Sequence, residues 1–539
     1  MSEPLNVQPR ENGVAARSHI LPPPGDRAFA LVALLVFAGI TTILSTWHEP
    51  WHDELQAWRI ALDSASLTEL VRNVRYEGHP LFPFLLLRAL GLVSRAWTSV
   101  VIAHVLIACG NAWIVLRYAP FSRLHRLLII FGYFFVFEYA VIVRPYGLGM
   151  LFGLAACAAW CAPRRRVALT AVLLLLLANT SAVGLALGLA LGCGFLLDAA
   201  EDWGDWRWSP RARAGAMAAG VLVVTVVAIT MAWSMMPPAD SGYRGGTGDN
   251  ARKLQFVARS ISLPARAFLP FPPIDVDGST RWNSWAFGST QTQLIVADLV
   301  AVALVLAGAL VVARRRSALV LWAMAVGGFY AFFTLLHPGS FRHHGYIVVA
   351  FIAAAWLAYA RPSSRWTESL ARVLHRLEPA RAPLLTFLLL PMIGAAWQLA
   401  RADRDQQFAS GPQVVEVLRS EHLIDLPIVG DAYPWSQPVA ALLDRPVFLP
   451  RENRATTWVS NGYVRHGLSA DVILDRTIRA FFRTHCQVVV LANNKRQFSP
   501  WLMRRLERVS PPPPMRPMSD IALSVWLATA PRCAGSEKP

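Results

Sequence analysis

The chain has 539 residues, 55% of them hydrophobic and only 16% charged, with a mean hydropathy of +0.39. A soluble domain carries about 25% charged residues, and apolar runs of roughly 17–25 residues, long enough to span a bilayer, recur along the sequence, which excludes a purely soluble enzyme or binding module. The formal net charge of +17 does not point to nucleic acid, because the arginines sit in short clusters between apolar runs, where the positive-inside rule places them.

Residues 1–27 are polar, proline-containing and aperiodic, and read as a disordered cytoplasmic tail. No small-residue cleavage site follows the first apolar run, so the tail is not a cleavable signal peptide. The first crossing covers about 28–46. Arg17 and Arg27 precede it, and His48, Glu49, Asp53 and Glu54 follow, which predicts an inside N-terminus and an outer loop over 47–98. Within that loop Leu81–Leu92 is short and interrupted by Pro83 and Arg88, and it reads as an interfacial or re-entrant helix. Further crossings are predicted at about 99–116, 127–143, 147–161, 167–178, 182–197, 214–235, 291–312, 318–336, 345–360 and 382–399, about 11 in all. With this count the triplets Arg164-Arg165-Arg166 and Arg314-Arg315-Arg316 fall inside, and the histidine-rich turn around His337–Gly345 falls outside. Counting Leu81–Leu92 as a crossing would invert them all.

The transmembrane part thus runs over 28–400, with a long Pro- and Gly-containing outer loop at 236–290, and from about 401 to 539 the composition becomes that of a soluble domain. Val414–Leu423, Gln437–Leu443 and Asp471–Thr484 have helical period, while Leu426–Gly430, Pro446–Leu449 and Gln487–Leu491 read as strands. The alternation predicts a small α/β domain, outside by the parity of the crossings. Cys109, Cys157, Cys161 and Cys193 lie in apolar runs as packing residues; Cys486 and Cys533 could pair if the domain is extracytoplasmic.

Chemistry concentrates after the first crossing. Glu49, Asp53 and Glu54 lie within seven residues of His48 and His52, and a carboxylate beside a membrane is costly unless it is solvated, paired or working. Asp53 or Glu54 could take the proton of an attacking hydroxyl or amine; acids that merely mark an outer loop are the competing reading. Glu77 and His79 flank Gly78 just before Pro80, at the mouth of the interfacial helix, where a loop turn with a capping carboxylate would look the same. Arg144-Pro145-Tyr146 closes the third crossing. An arginine on the outer face needs a partner, either a lipid phosphate or Glu138. His337, Arg342, His343 and His344 form another polar cluster at an outer end and could bind a phosphate or serve as interfacial side chains. No metal is assigned: His343 and His344 are adjacent, with no carboxylate beside them. Tyr243-Arg244-Gly245-Gly246 in the long loop resembles a hinged lid around a cation. Trp47, Trp51 and Trp58 read as part of an interfacial belt, with stacking on sugar faces as the alternative.

In this order, these residues resemble the GT-C superfamily of membrane glycosyltransferases, and within it the glycosyltransferase family 39-like branch of protein O-mannosyltransferases and aminoarabinose transferases. The carriers of the resemblance are Asp53-Glu54 after the first crossing, His79-Pro80-Leu81 before an apolar juxtamembrane helix, Arg144-Pro145-Tyr146 after the third crossing, and the C-terminal α/β domain. The resemblance implies a multi-pass protein of the bacterial inner membrane with a periplasmic C-terminal domain. It also implies a polyprenyl-phosphate sugar donor, inverting transfer to an extracytoplasmic glycan, lipid or protein, and Asp53 as general base. Arg144, Tyr146, Arg244, His337, Arg342, His343 and His344 would then face the donor phosphate and lipid, with Glu54, Glu77 and His79 beside the base. The chain departs from the aminoarabinose branch in having Glu77 and His79 where that branch has a lysine, and no acid directly after the third crossing, so a divalent metal stays open. A polysaccharide polymerase or ligase centred on Arg244, or a lipid-linked glycan transporter, are the alternative functions.

Overall fold

The computed structural model describes residues 24–163, 165–201, 261–288, 290–364, 368–460, 469–510, 517–519 and 521–533, with isolated positions between 211 and 241. The predicted tail, the crossing at 214–235, Arg244 with its flanking loop, and Pro511–Pro514 all lie largely or wholly outside them.

Helix α1 (Pro24–Trp47) is the first crossing. A cluster of short helices follows: α2 (His52–Asp63), α3 (Leu67–Val74) and α4 (Leu81–Val93). At 13 residues α4 reaches about 20 Å, short of a hydrocarbon core about 30 Å thick. It lies against α2, where Phe84 joins Ile60, Leu70 and Val74 in a small core and Arg88 donates to the carbonyls of Ala61 and Ser64. Its far end, Leu92 and Val93, is 85% exposed.

The chain then returns through α5 (Trp97–Tyr118) and α6 (Arg123–Ile130). The predicted crossing at 127–143 is not one regular helix. After α6 the backbone makes a π-helical turn over Phe134–Glu138 and runs unwound to Arg144. Tyr133 to Ile142 are all buried, and irregular backbone at membrane depth is tolerated where protein covers it. The helices α7 (Tyr146–Trp160), α8 (Val167–Ala178), α9 (Ala182–Glu201), α10 (Gln291–Val312), α11 (Arg316–Leu335) and α12 (Phe341–Ala360) complete the main bundle. Two further helices, α13 (Glu378–Leu389) and α14 (Pro391–Asp405), carry the chain to the C-terminal domain. Seven helices among the described residues are long and apolar enough to cross a membrane; 81–93, 146–160 and 167–178 are shorter apolar pieces.

Helix α12 is the axis of the bundle. Every residue from His344 to Ala358 is buried, as an all-round apolar helix requires. Gly345 is needed where α12 meets the π turn, since a Cβ there would come within 2.3 Å of the Phe134 ring. Over its twenty residues, about 30 Å, α12 joins two polar clusters at opposite ends. At the C-terminal end Asp198, fully buried, receives Arg165 at 2.8 Å, Arg315 at 2.5 Å and Trp160 Nε1 at 2.8 Å, with Arg361 at 3.6 Å. One arginine from each triplet that set the predicted topology, Arg165 and Arg315, therefore meets the same carboxylate. The N-terminal end carries Arg342 and His343.

The C-terminal domain holds a six-stranded sheet in the order β3-β2-β1-β4-β6-β5. Its strands are β1 (Ile428–Gly430), β2 (Val447–Leu449), β3 (Arg454–Thr456), β4 (Gln487–Asn493), β5 (Leu506–Arg508) and β6 (Leu523–Thr529). β1 runs parallel to β2 and β4, while β3, β6 and β5 pair antiparallel with their neighbours. Strand residues alternate between two cores: Val489, Leu491, Leu523 and Val525 face one, and Val488, Val490, Trp526 and Ala528 the other. The first is covered by α15 (Ser410–Ser420) and α16 (Gln437–Leu442), the second by α17 (Ala470–Phe481), giving a three-layer α/β unit. Cys486 and Cys533 form a disulfide beside the start of β4.

Candidate active site

The N-terminus of α2 positions the central acid. Glu54 reaches back to the Trp51 N–H at 2.9 Å, half of a capping box, and also accepts from the Val143 N–H at 2.5 Å and contacts His48 at 3.1 Å. With its oxygens taken and the residue 1% exposed, Glu54 fixes the start of α2 and ties it to the unwound segment before Arg144. Asp53, one residue earlier in the first turn, stays 27% exposed at its side chain, while the cations facing it are more buried.

Two guanidiniums meet Asp53 Oδ2: Arg342 at 3.0 Å and Arg144 at 3.6 Å. Arg144 also donates to the Asp53 carbonyl at 2.7 Å and to His79 Nε2 at 3.0 Å. An arginine only donates, so His79 Nε2 is the acceptor and its proton sits on Nδ1. Burial, then the charge of Arg144, pushes the His79 pKa down to about 3, leaving the imidazole neutral. For Asp53, burial works toward protonation, but the charges of Arg144 and Arg342 outweigh it and hold the carboxyl below its ordinary range. Glu77 accepts from Gln56 at 3.0 Å on the neighbouring face.

Arg342 lies over Trp51, 5.0 Å from its ring centroid, and 5.7 Å from that of Trp282; the two rings meet edge to face at 4.9 Å. Trp282 donates from Nε1 to Glu138 Oε2 at 2.9 Å, and the Tyr133 hydroxyl donates to the same oxygen. Glu138 therefore does not pair with Arg144; it anchors the tryptophan that flanks Arg342. His343 Nδ1 accepts from the Ser340 N–H at 2.9 Å, so Nε2–H donates to the Tyr146 hydroxyl at 2.9 Å. His337 stacks edgewise on His343 with ring centroids 5.3 Å apart. His344 turns away, its Nε2 bonding the Pro338 carbonyl at 3.1 Å against the edge of Phe333.

Of the residues singled out in the sequence, the fold brings Asp53, His79, Arg144 and Arg342 into direct contact, with Tyr146, His343 and His337 beside them and Glu54 and Glu77 behind. Arg244 lies outside the described residues. Trp51 and Trp58, expected in an interfacial belt, are 5% and 3% exposed, Trp51 packed edge to face on Trp282 of the long loop and Trp58 set against Gly91 of α4; Trp47 stays 41% exposed. Trp282 carried no signal beyond its aromaticity. His48, bridging Glu54 and Asp403 at 3.1 and 3.2 Å, was visible only as one of several loop histidines. Four donors of this cluster, Trp51 Nε1, His79 Nδ1, Arg144 Nε and Arg342 Nε, are buried with no acceptor among the described residues. The chemistry on offer is one carboxylate beside two guanidiniums, a proton acceptor next to an anion site. Among the described residues no three His, Cys, Asp or Glu side chains group as metal ligands.

No protein-family model matches the chain, and no curated protein matches it. Among solved structures it aligns with the crystal structure of ArnT from Cupriavidus metallidurans bound to undecaprenyl phosphate, over 94% of this chain and 98% of that one, at 12% identity and a TM-score of 0.48. It also aligns with a cryo-EM structure of the arabinofuranosyltransferase AftD from Mycobacteria, over 92% of this chain and 41% of that one, at 14% identity and a TM-score of 0.33.

Proposed function

We propose that the protein transfers a sugar from a polyprenyl-phosphate carrier to an acceptor on the extracytoplasmic face of a bacterial inner membrane, with inversion, using Asp53 as general base. The observation that carries this reading is the pairing of a partly exposed carboxylate, Asp53, with Arg342 and Arg144 at 3.0 and 3.6 Å, at one end of a helical bundle. Inverting transfer needs a carboxylate to take the acceptor's proton as the anomeric carbon is attacked, and cations to stabilise the departing phosphate. Both lie within the span of one sugar-phosphate headgroup. Neutral His79 orients Arg144, and the Tyr146–His343 pair lines the same end. The polyprenyl-phosphate donor follows the family resemblance and suits a cation pair at the membrane boundary; the acceptor's identity is not part of the proposal.

The test is mass spectrometry of cell-envelope glycans with and without the protein, repeated with Asp53→Asn. Loss of one glycan modification in both the deletion and the variant, with the variant present at normal level in the membrane, is the expected result. An Asp53→Asn protein that restores the modification overturns the base assignment.

A further inference from the structure

The assignment of Asp53 as base contains a conflict. Two guanidiniums that hold a carboxylate ionised also make it a poor proton acceptor. The geometry of the two arginines resolves it, because they are not equivalent. Arg144 has fixed partners besides the Asp53 carboxylate, namely the Asp53 backbone carbonyl at 2.7 Å and His79 at 3.0 Å. Among the described residues Arg342 has one hydrogen-bond acceptor for its guanidinium, Asp53 Oδ2, and otherwise rests between the faces and edges of Trp51 and Trp282. Its Nε is buried with no acceptor among the described residues. Aromatic faces hold a cation in place without using its N–H donors, and most of the five donors of a guanidinium stay available to a bidentate anion.

We infer that Asp53 and the donor's phosphate compete for one cation, Arg342, so that the empty site masks its own base and donor binding unmasks it. This rests on the reading of the site as a polyprenyl-phosphate sugar transferase. When the donor arrives, its phosphate oxygens take the guanidinium from Asp53 Oδ2, and Arg342 stays between the two tryptophans. The carboxylate, released from one cation, regains basicity at the step that needs it. The acceptor O–H or N–H then gives its proton to Asp53 while the acceptor atom bonds to the anomeric carbon. The bond from that carbon to the phosphate oxygen breaks, and its electron pair leaves with the polyprenyl phosphate, still on Arg342. Departure of the carrier returns Arg342 to Asp53, and the proton passes to water.

The test is a binding cycle with undecaprenyl phosphate on the full-length protein in detergent, using wild type, Asp53→Asn, Arg342→Met and the double variant, with undecaprenol as the neutral control. Removing a competitor held by a charge-assisted hydrogen bond raises affinity about tenfold or more. Asp53→Asn is therefore expected to bind the phosphate at least tenfold tighter than wild type, and Arg342→Met at least tenfold more weakly. In the double variant the gain disappears, because there is no cation left to compete for. An Asp53→Asn gain of equal size in the Arg342→Met background means simple repulsion between carboxylate and phosphate and overturns the competition; no gain in either background overturns it too. If wild type and Asp53→Asn bind undecaprenyl phosphate no better than undecaprenol, the transferase reading itself falls. Arg342→Gln replaces the methionine variant in the cycle if the latter does not purify as a single species.

Discussion

Trp282 links the chemistry of the site to its scaffold, and replacing it with phenylalanine separates the two. The residue is 4% exposed, its indole N–H donates to Glu138 at 2.9 Å, its ring flanks Arg342, and its backbone N–H bonds the Met518 carbonyl at 3.2 Å, tying the long loop to the C-terminal domain. Trp282→Phe keeps an aromatic face beside Arg342 but removes the donor. Glu138 would then rely on Tyr133 alone, its Oε1 already having no partner among the described residues. A hydrogen bond to a charged group contributes about 1.5–3 kcal/mol, so thermal stability in detergent should fall by about that amount. The weaker aromatic face loses about 0.5–1 kcal/mol of cation–π attraction, a two- to fivefold weakening of undecaprenyl phosphate binding. Turnover at saturating donor should not change, because Trp282 acts through Arg342 and touches no reacting atom. Glu138→Gln retains an acceptor oxygen for the indole and should fall between wild type and Glu138→Ala in both readouts. A Trp282→Phe protein as stable and as tight-binding as wild type would refute the anchoring role. A loss of turnover with unchanged affinity would instead put Trp282 against the sugar.

Asp198→Asn leaves Arg165, Arg315 and Arg361 facing one another at the other end of the bundle. Breaking a buried ion pair on one side costs about 3–5 kcal/mol, so the variant should unfold at markedly lower temperature, and adding Arg315→Met should recover part of the loss; additive losses would refute the cluster. His48 sets a pH limit on the docking of the C-terminal domain. Burial lowers its pKa, but Glu54 and Asp403 raise it to about 10, well above its ordinary 6.5. A raised folded-state pKa contributes stability that is complete below about 6.5 and is lost as pH rises through about 10. Thermal unfolding in detergent should therefore show stability falling between those values, with the fall much reduced in His48→Gln; a flat profile in wild type would contradict the charged bridge.

Much of this protein could be read locally. Apolar run length gave the first crossing, the shortness of α4 and most of the bundle, because desolvating backbone and charge is a property of each segment by itself. The alternation of short apolar strands with helical periods gave the α/β domain, although β6 went unrecognised: Leu523–Thr529 follows a proline-rich stretch and becomes a strand by pairing antiparallel with β4, from Asn493↔Leu523, 30 residues apart, to Gln487↔Thr529, 42 apart. Asp53, His79, Arg144 and Arg342 stood out as polar groups at crossing ends, where solvation cost makes any charge conspicuous. Their roles did not. Whether Arg144 would meet Glu138 or Asp53 depended on an unwound, π-turned backbone that only neighbouring helices make affordable. The bond from Asp53 to Arg342 joins positions 289 apart in sequence, and Trp282 reaches the site from a loop whose own residues carry no periodic signal. Segment identity is set by the free energy of transferring each stretch from water to lipid, which composition records; the pairing of charges is set by which helix ends the folded bundle brings together, and that information exists only in three dimensions.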